Sequence, residues 1–175
     1  MLAGWLLFIM QLWVPPSAHD YRAPRAETEA RYQDIAADLD LVTSDPDEKP
    51  LFAGPTGRAQ TALLMLAITR FESGGWRGDV DQEDEPSGDG GRAWCLAQLH
   101  APYADDLTDR VSCFRAMLRA LRDSWALCPS EGWDVARHLT GYTRGRCVED
   151  EPEAQHRAAL ATRTWLAMPW LAPVN

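Results

Sequence analysis

RAQTALLMLAITRFESGGW, residues 58–76, is apolar on nearly every side from Ala62 to Phe71 and then meets an acid and a pair of glycines. A helix that is hydrophobic all round is one that other elements enclose, so this segment reads as the buried centre of a helical domain. Gly74 and Gly75 mark its end, glycine being the usual residue just past a helix C-terminus. Glu72 falls in the last turn, four residues after Ile68 and seven after Met65, on their apolar face. The helix macrodipole places partial negative charge at that end. Burial and dipole both favour the protonated carboxyl, which is what a proton donor near neutrality requires. The residues also allow a plainer reading, in which Glu72 turns outward at a fraying helix end.

Working outward, helical spacing recurs on both sides. Tyr32, Ile35, Leu39 and Val42 give the segment from Glu27 to Val42 one apolar face. The prolines and glycines of TSDPDEKPLFAGPTG, residues 43–57, make a loop, with Thr56 or Gly57 placed to cap the central helix. Val111, Phe114, Met117, Leu118, Leu121 and Trp125 form a stripe between Asp109 and Leu127, with arginines on the other face. Trp133, Ala136 and Leu139 suggest a short helix ending near Gly141. A last helix, Glu151 to Leu166, starts at Pro152, an acceptable first-turn residue. No alternating run is long enough for a strand. The expected fold is mainly α, with little or no sheet.

The acid-rich stretch RGDVDQEDEPSGDGG, residues 77–91, reads as a solvated loop. Asp79, Asp81 and Glu83 alternate like the start of an EF-hand, but Asp84 replaces the required glycine and Gly90 the bidentate acid, so no metal is expected. Arg77-Gly78-Asp79 is too short a match to carry an adhesive reading.

A length of 175 residues suits one domain, and eight tryptophans with 46% hydrophobic residues suit a packed core. The net charge of -9 argues against nucleic acid as a partner, which demands clustered Lys and Arg, and against anionic membranes. Residues 1–14, MLAGWLLFIMQLWV, are apolar apart from Gly4 and Gln11 and are followed by PPSA. This is the pattern of a signal peptide over 1–18 with Ala18 at the cut, leaving 19–175 as the domain and the protein exported. No basic residue precedes the run and Pro16 is badly placed, so a buried first helix is the alternative. The run is too short to span a membrane, which takes about 20 residues. Cys95, Cys113, Cys128 and Cys147 lack metal-site spacing and suggest disulfides in an exported chain. Of the possible pairings, Cys95 with Cys113 and Cys128 with Cys147 is favoured because each closes a short loop, although the sequence alone leaves it open.

Glu72-Ser73-Gly74-Gly75-Trp76 resembles the E-S-x-x-aromatic motif of lytic transglycosylases in the lysozyme-like superfamily. GDGGRAWCLAQLH, residues 88–100, resembles that family's G-A-x-G-L-x-Q-I signature, and LTGYTRG, residues 139–145, its A-x-x-Y-N-x-G motif. The motifs stand in the family's order within residues 57–145, with the amphipathic helix between the second and third. The resemblance implies a lysozyme-like domain that cuts the β-1,4 bond between N-acetylmuramic acid and N-acetylglucosamine in peptidoglycan, closing a 1,6-anhydro ring without cofactor. Glu72 would act as acid and then base, with Tyr142 hydrogen-bonding and orienting it. Ser73 and Gln98 would contact the glycan. The aromatic residues near these motifs, Trp76, Trp94 and Tyr103, suit stacking on sugar faces or ordinary core packing, the latter favoured for Trp94. Cys95 stands for the family's Gly and Thr143 for its Asn.

Competing readings are a hydrolytic lysozyme that draws a second acid from Asp81, Glu83, Asp84, Glu85 or Asp89, and a catalytically inactive, disulfide-stapled module that binds glycan or protein. His100 reads as a surface residue with no evident partner, and neither it nor His138 shows ligand spacing.

Overall fold

The computed structural model describes residues 1–16, 23–81, 88–130 and 134–170. These residues form α1 (Leu2–Trp13), α2 (Arg25–Ser44), α3 (Gly57–Glu72), α4 (Arg110–Leu127), α5 (Val135–Arg144) and α6 (Pro152–Ala167). Strand pairing among them is limited to isolated bridges, Gly88 with Ala93 and Trp94 with Leu99. The mainly helical fold expected from periodicity is what forms. Trp133, expected in the short fifth helix, lies outside the described residues.

Every residue of α3 from Thr61 to Thr69 is buried. α1, α2 and α6 all pack on it, which is why its sequence lacks a polar face. α2 lays down Tyr32, Ile35, Leu39 and Val42, all fully buried. α4 starts on a capping box, Asp109 accepting from the Ser112 amide at 2.6 Å while the Ser112 hydroxyl takes the Asp109 amide at 3.0 Å. Its Phe114, Met117, Leu118 and Leu121 are buried, with Val111 and Trp125 packed beside them. α5 lies close on α4 at Gly141, where an added Cβ would come within 2.6 Å of Ser124 Oγ and 3.1 Å of its Cα. Ser124 Oγ uses that approach, taking the Tyr142 amide at 2.7 Å and donating to the His138 carbonyl. Glu151 caps α6 by accepting from the Ala154 amide at 2.6 Å, with Pro152 in the first turn.

Residues 2–13, within the segment expected to be a leader, form α1 and pack into the core. Leu6, Ile9 and Met10 of α1 are fully buried and Leu2 nearly so. Trp13 stacks on Trp76 with ring centroids 6.3 Å apart and donates from Nε1 to Thr164 Oγ1 at 3.2 Å. Trp5 donates to the Met168 carbonyl at 3.2 Å and meets Trp165 edge to face. The expected cleavage point at Ala18 lies outside the described residues. No described helix is long and apolar enough to cross a membrane.

The favoured cysteine pairing is the one that forms. Cys95 and Cys113 bridge the 94–99 turn to α4, and Cys128 and Cys147 bridge the end of α4 to the segment between α5 and α6. Both bonds therefore tie loops to the same helix.

Trp13→Ala should lower unfolding stability by about 3 kcal/mol, since it removes a large packed ring and one hydrogen bond. An unchanged urea midpoint would show that α1 is not part of the cooperative fold. Replacing Cys128 and Cys147 together by alanine should cost about 3 kcal/mol in the same assay, through the loop it reopens.

Candidate active site

α3 ends on a Schellman turn. The Gly75 amide donates to the Arg70 carbonyl at 2.7 Å and the Gly74 amide to that of Phe71 at 3.4 Å, with Gly74 at φ 60. A side chain at position 74 would meet the left-handed penalty that glycine escapes. Ser73 is 1% exposed; its hydroxyl donates to the Thr69 carbonyl at 2.6 Å and accepts the Trp76 amide at 2.7 Å. Trp76, also 1% exposed and itself at φ 62, drives its ring between Trp13 and Tyr32 and donates from Nε1 to Thr69 Oγ1 at 3.0 Å. Ser73 and Trp76, expected to meet the glycan, are therefore packed inside the turn and do not line the cleft beside Glu72. They clamp the turn, and the clamp sets where Glu72 points.

Glu72 opens into a cleft of about 1090 Å³, with its side chain 21% exposed. Its Oε1 accepts from Arg157 Nη2 at 2.7 Å, and among the described residues Oε2 has no hydrogen-bond partner. Burial pushes the Glu72 carboxyl above its ordinary pKa; the Arg157 guanidinium pulls it down, and the Glu153 and Asp89 charges add to the rise. Burial wins, so the proton is held to higher pH than on a free side chain. Arg157 is itself almost buried, at 8% side-chain exposure, and lies 3.5 Å from Glu153 and over the Phe71 ring. Arg157 thus holds one oxygen of the acid and leaves the other to the cleft.

The opposite wall comes from the other two motifs. Trp94 and Leu99 exchange backbone hydrogen bonds at 3.0 and 2.9 Å around a turn with Cys95 at φ 55 and Gln98 at φ 49. The left-handed backbone at position 95 suits the glycine of the resembling family, and here a cysteine anchored to α4 occupies it. Gln98 donates to the Cys95 carbonyl at 2.9 Å and lines the cleft. Tyr142 also lines it, but its hydroxyl donates to the Ala97 carbonyl at 2.8 Å, not to Glu72. Its role is to tie α5 to the 94–99 turn. Burial and the nearby Glu72 carboxylate push the Tyr142 hydroxyl well above its ordinary pKa, so it stays a neutral donor. Tyr103 borders the cleft with its hydroxyl on Asp123 at 2.6 Å, a bond that, with burial, pushes its pKa up to about 12. Trp94 lines a separate hollow with Arg92 and Leu107.

Thr143, in the place of the motif Asn, lines the cleft and donates to the Leu139 and Thr140 carbonyls at 3.3 and 3.4 Å. Among the acids expected to compete for a second role, Asp81 is consumed. Its side chain is 4% exposed and takes both Arg110 Nε and Nη2 at 2.9 Å, which corrects the reading of this part of the loop as solvated. Glu83, Asp84 and Glu85 lie outside the described residues. Asp89 does line the cleft, paired with His100 Nε2 at 3.1 Å, the partner the sequence did not reveal for that histidine. Arg77 and Asp79 of the tripeptide pair with each other.

Sequence reasoning missed Arg157 and Glu151. Arg157 sits on the buried stripe of α6 with Ala154, Ala158 and Ala161, so a charge on an apolar face was the available signal. Glu151 is 4% exposed and binds Arg144 at 2.8 Å as well as capping α6. Burial raises its pKa, but the Ala154 amide and Arg144 more than offset this and leave it below the ordinary value.

No family model, no curated protein and no solved structure matches the chain. The site's chemistry therefore rests on its own geometry. Arg157→Met removes the cation that favours the charged acid, so Glu72 should titrate at higher pH than in the wild type in a carbon-detected NMR titration. The variant should also lose stability as pH rises through that pKa, where an uncompensated buried charge forms. A lower or unmoved Glu72 pKa would remove Arg157 from the account.

Proposed function

We propose that the protein is a lytic transglycosylase with a lysozyme-like domain, cutting the bond between N-acetylmuramic acid and N-acetylglucosamine in peptidoglycan. The observation that carries this reading is a largely buried acid of raised pKa lining a cleft of about 1090 Å³, with Oε2 bonded to no partner among the described residues. Glu72 donates its proton to the glycosidic oxygen as that bond breaks. The resulting carboxylate takes the proton from the muramyl C6 hydroxyl as its oxygen bonds to the anomeric carbon, so the proton is restored and no water is consumed. Arg157, a positioning residue, stabilises the carboxylate between the two steps and holds its orientation. Gln98, Tyr103 and Thr143 line the cleft where the strand would run. The paired cysteines favour an oxidising compartment, so we place the protein outside the cytoplasm.

Asp89 supports a second reading. It lies in the same cleft, 63% exposed, and its charge acts on Glu72, so it is a candidate to activate water in a hydrolase.

Digestion of purified peptidoglycan by the oxidised protein, with muropeptides read by mass spectrometry, separates the readings. A transglycosylase releases anhydro products one water lighter than reducing-end sugars, and Glu72→Gln lowers their rate by about 10²–10⁴-fold. Asp89→Asn leaves that rate within about threefold if Asp89 takes no part in the proton transfers. Reducing ends lost in Asp89→Asn would establish the hydrolase. No release from any wall type would leave the binding module as the reading.

A further inference from the structure

The hollow that Trp94 lines, of about 560 Å³, adjoins the Glu72 cleft, for His100 and Ala101 border both. A strand leaving the cleft past His100 would run into it. Among the described tryptophans, Trp94 alone is neither in the core nor packed against it, contrary to the core packing favoured from its type. It is half-buried, and its backbone is pinned in both directions to Leu99, at 3.0 and 2.9 Å. Core packing therefore gives no reason for a large aromatic residue on this turn. Ala104 and Leu107 extend the apolar wall, and Arg92 and Asp105 supply polar groups. The Arg92 Nε atom donates to the Asp89 carbonyl at 3.0 Å, and among the described residues the guanidinium pairs with no carboxylate. In a chain of net charge -9, an arginine left without an acid is open to an anionic group that a ligand brings.

We propose that this hollow is a further glycan subsite, which takes a muramyl sugar of the strand with its ring against Trp94 and a carboxylate of its lactyl substituent on Arg92. The subsite rests on the peptidoglycan reading of the Glu72 cleft and extends it beyond His100. A pyranose presents C–H groups on one face and hydroxyls at its edge, which matches an aromatic wall with a polar rim. Asp105 accepts from those hydroxyls. The carboxylate is the lactyl group's own in strands without peptide stems, or one carried by the stem, and Arg92 forms a charge-assisted pair with either. Binding here lies away from the reacting bond, so it holds the strand without entering the proton transfers at Glu72.

The full oxidised chain carrying Glu72→Gln, which leaves strands uncut, is titrated by backbone-amide NMR with peptidoglycan oligosaccharides, stemmed and stem-free, and with chitin oligosaccharides, which lack the carboxylate. The amides of Trp94, Ala104 and Leu107 should shift together with those of Gly141 and Thr143 in the cleft. Adding Trp94→Ala should weaken every ligand about tenfold, and Trp94→Phe should restore most of that loss. Arg92→Met should weaken only the muramyl strands, about threefold to fivefold. Loss on both kinds of muramyl strand assigns the lactyl carboxylate, and loss on stemmed strands alone assigns the stem's. Trp94 and Arg92 lie outside the core, so these variants should fold. Shifts at Gly141 and Thr143 with none at Trp94, or undiminished binding in Trp94→Ala, would overturn the subsite and leave the reading of the cleft standing. Undiminished binding of muramyl strands in Arg92→Met would overturn the assignment of a muramyl sugar. No shift at either place with any glycan would overturn the subsite and the cleft reading together.

Discussion

The four residues after Glu72 hold the site together. A carboxyl at a helix terminus is normally free to fray into water, but here the next residue is buried and hydrogen-bonded back into the helix. A left-handed glycine then reverses the chain, and Trp76 is driven into the core between Trp13 and Tyr32. Moving Glu72 would require unpacking a fully buried tryptophan from three hydrogen-bonded or stacked neighbours. The position of this carboxyl is thus set by packing and hydrogen bonds in the turn behind it, and Arg157 holds one of its oxygens from the other side.

Electrostatics then act on a carboxyl whose place is already set. Burial and the Arg157 guanidinium pull its proton affinity in opposite directions, with burial the stronger. Arg157 can do this only because the start of α6 is anchored. Glu151 caps that helix and grips Arg144 at the end of α5, so the three cleft-forming elements α3, α5 and α6 meet through charged pairs. Such pairs contribute little net stability when one partner is exposed, and their value here is in fixing geometry.

The two halves of the chain are stabilised by different means. The first half packs aromatic rings, including those of α1, around α3. The second half, which holds the 94–99 turn and the short α5, adds two disulfides to α4 to its share of the core. The turn buries Leu96, Ala97 and Leu99 in the core and carries left-handed backbone at Cys95 and Gln98, so packing and a covalent tie to α4 hold it together. Tyr142 joins the same turn to α5 through the Ala97 carbonyl.

Periodicity in the sequence was enough to identify α2 and α4 to within a few residues, because each buries one face written in the spacing of its apolar residues, while an unbroken apolar run marked α3 and Pro152 the start of α6. It also singled out Glu72 as an acid on an apolar face and suggested how the cysteines pair through short loops. What the sequence by itself could not decide was which charged group would face that acid, because Arg157 is 85 residues away and only the packing of α6 on α3 brings it within 2.7 Å. The same holds for Ser73 and Trp76, whose types suit a binding cleft and a turn clamp equally. For α1, an apolar run of that length suits a leader or a core helix alike. Local pattern reports how much of a side chain must be buried, and only the tertiary structure says against what.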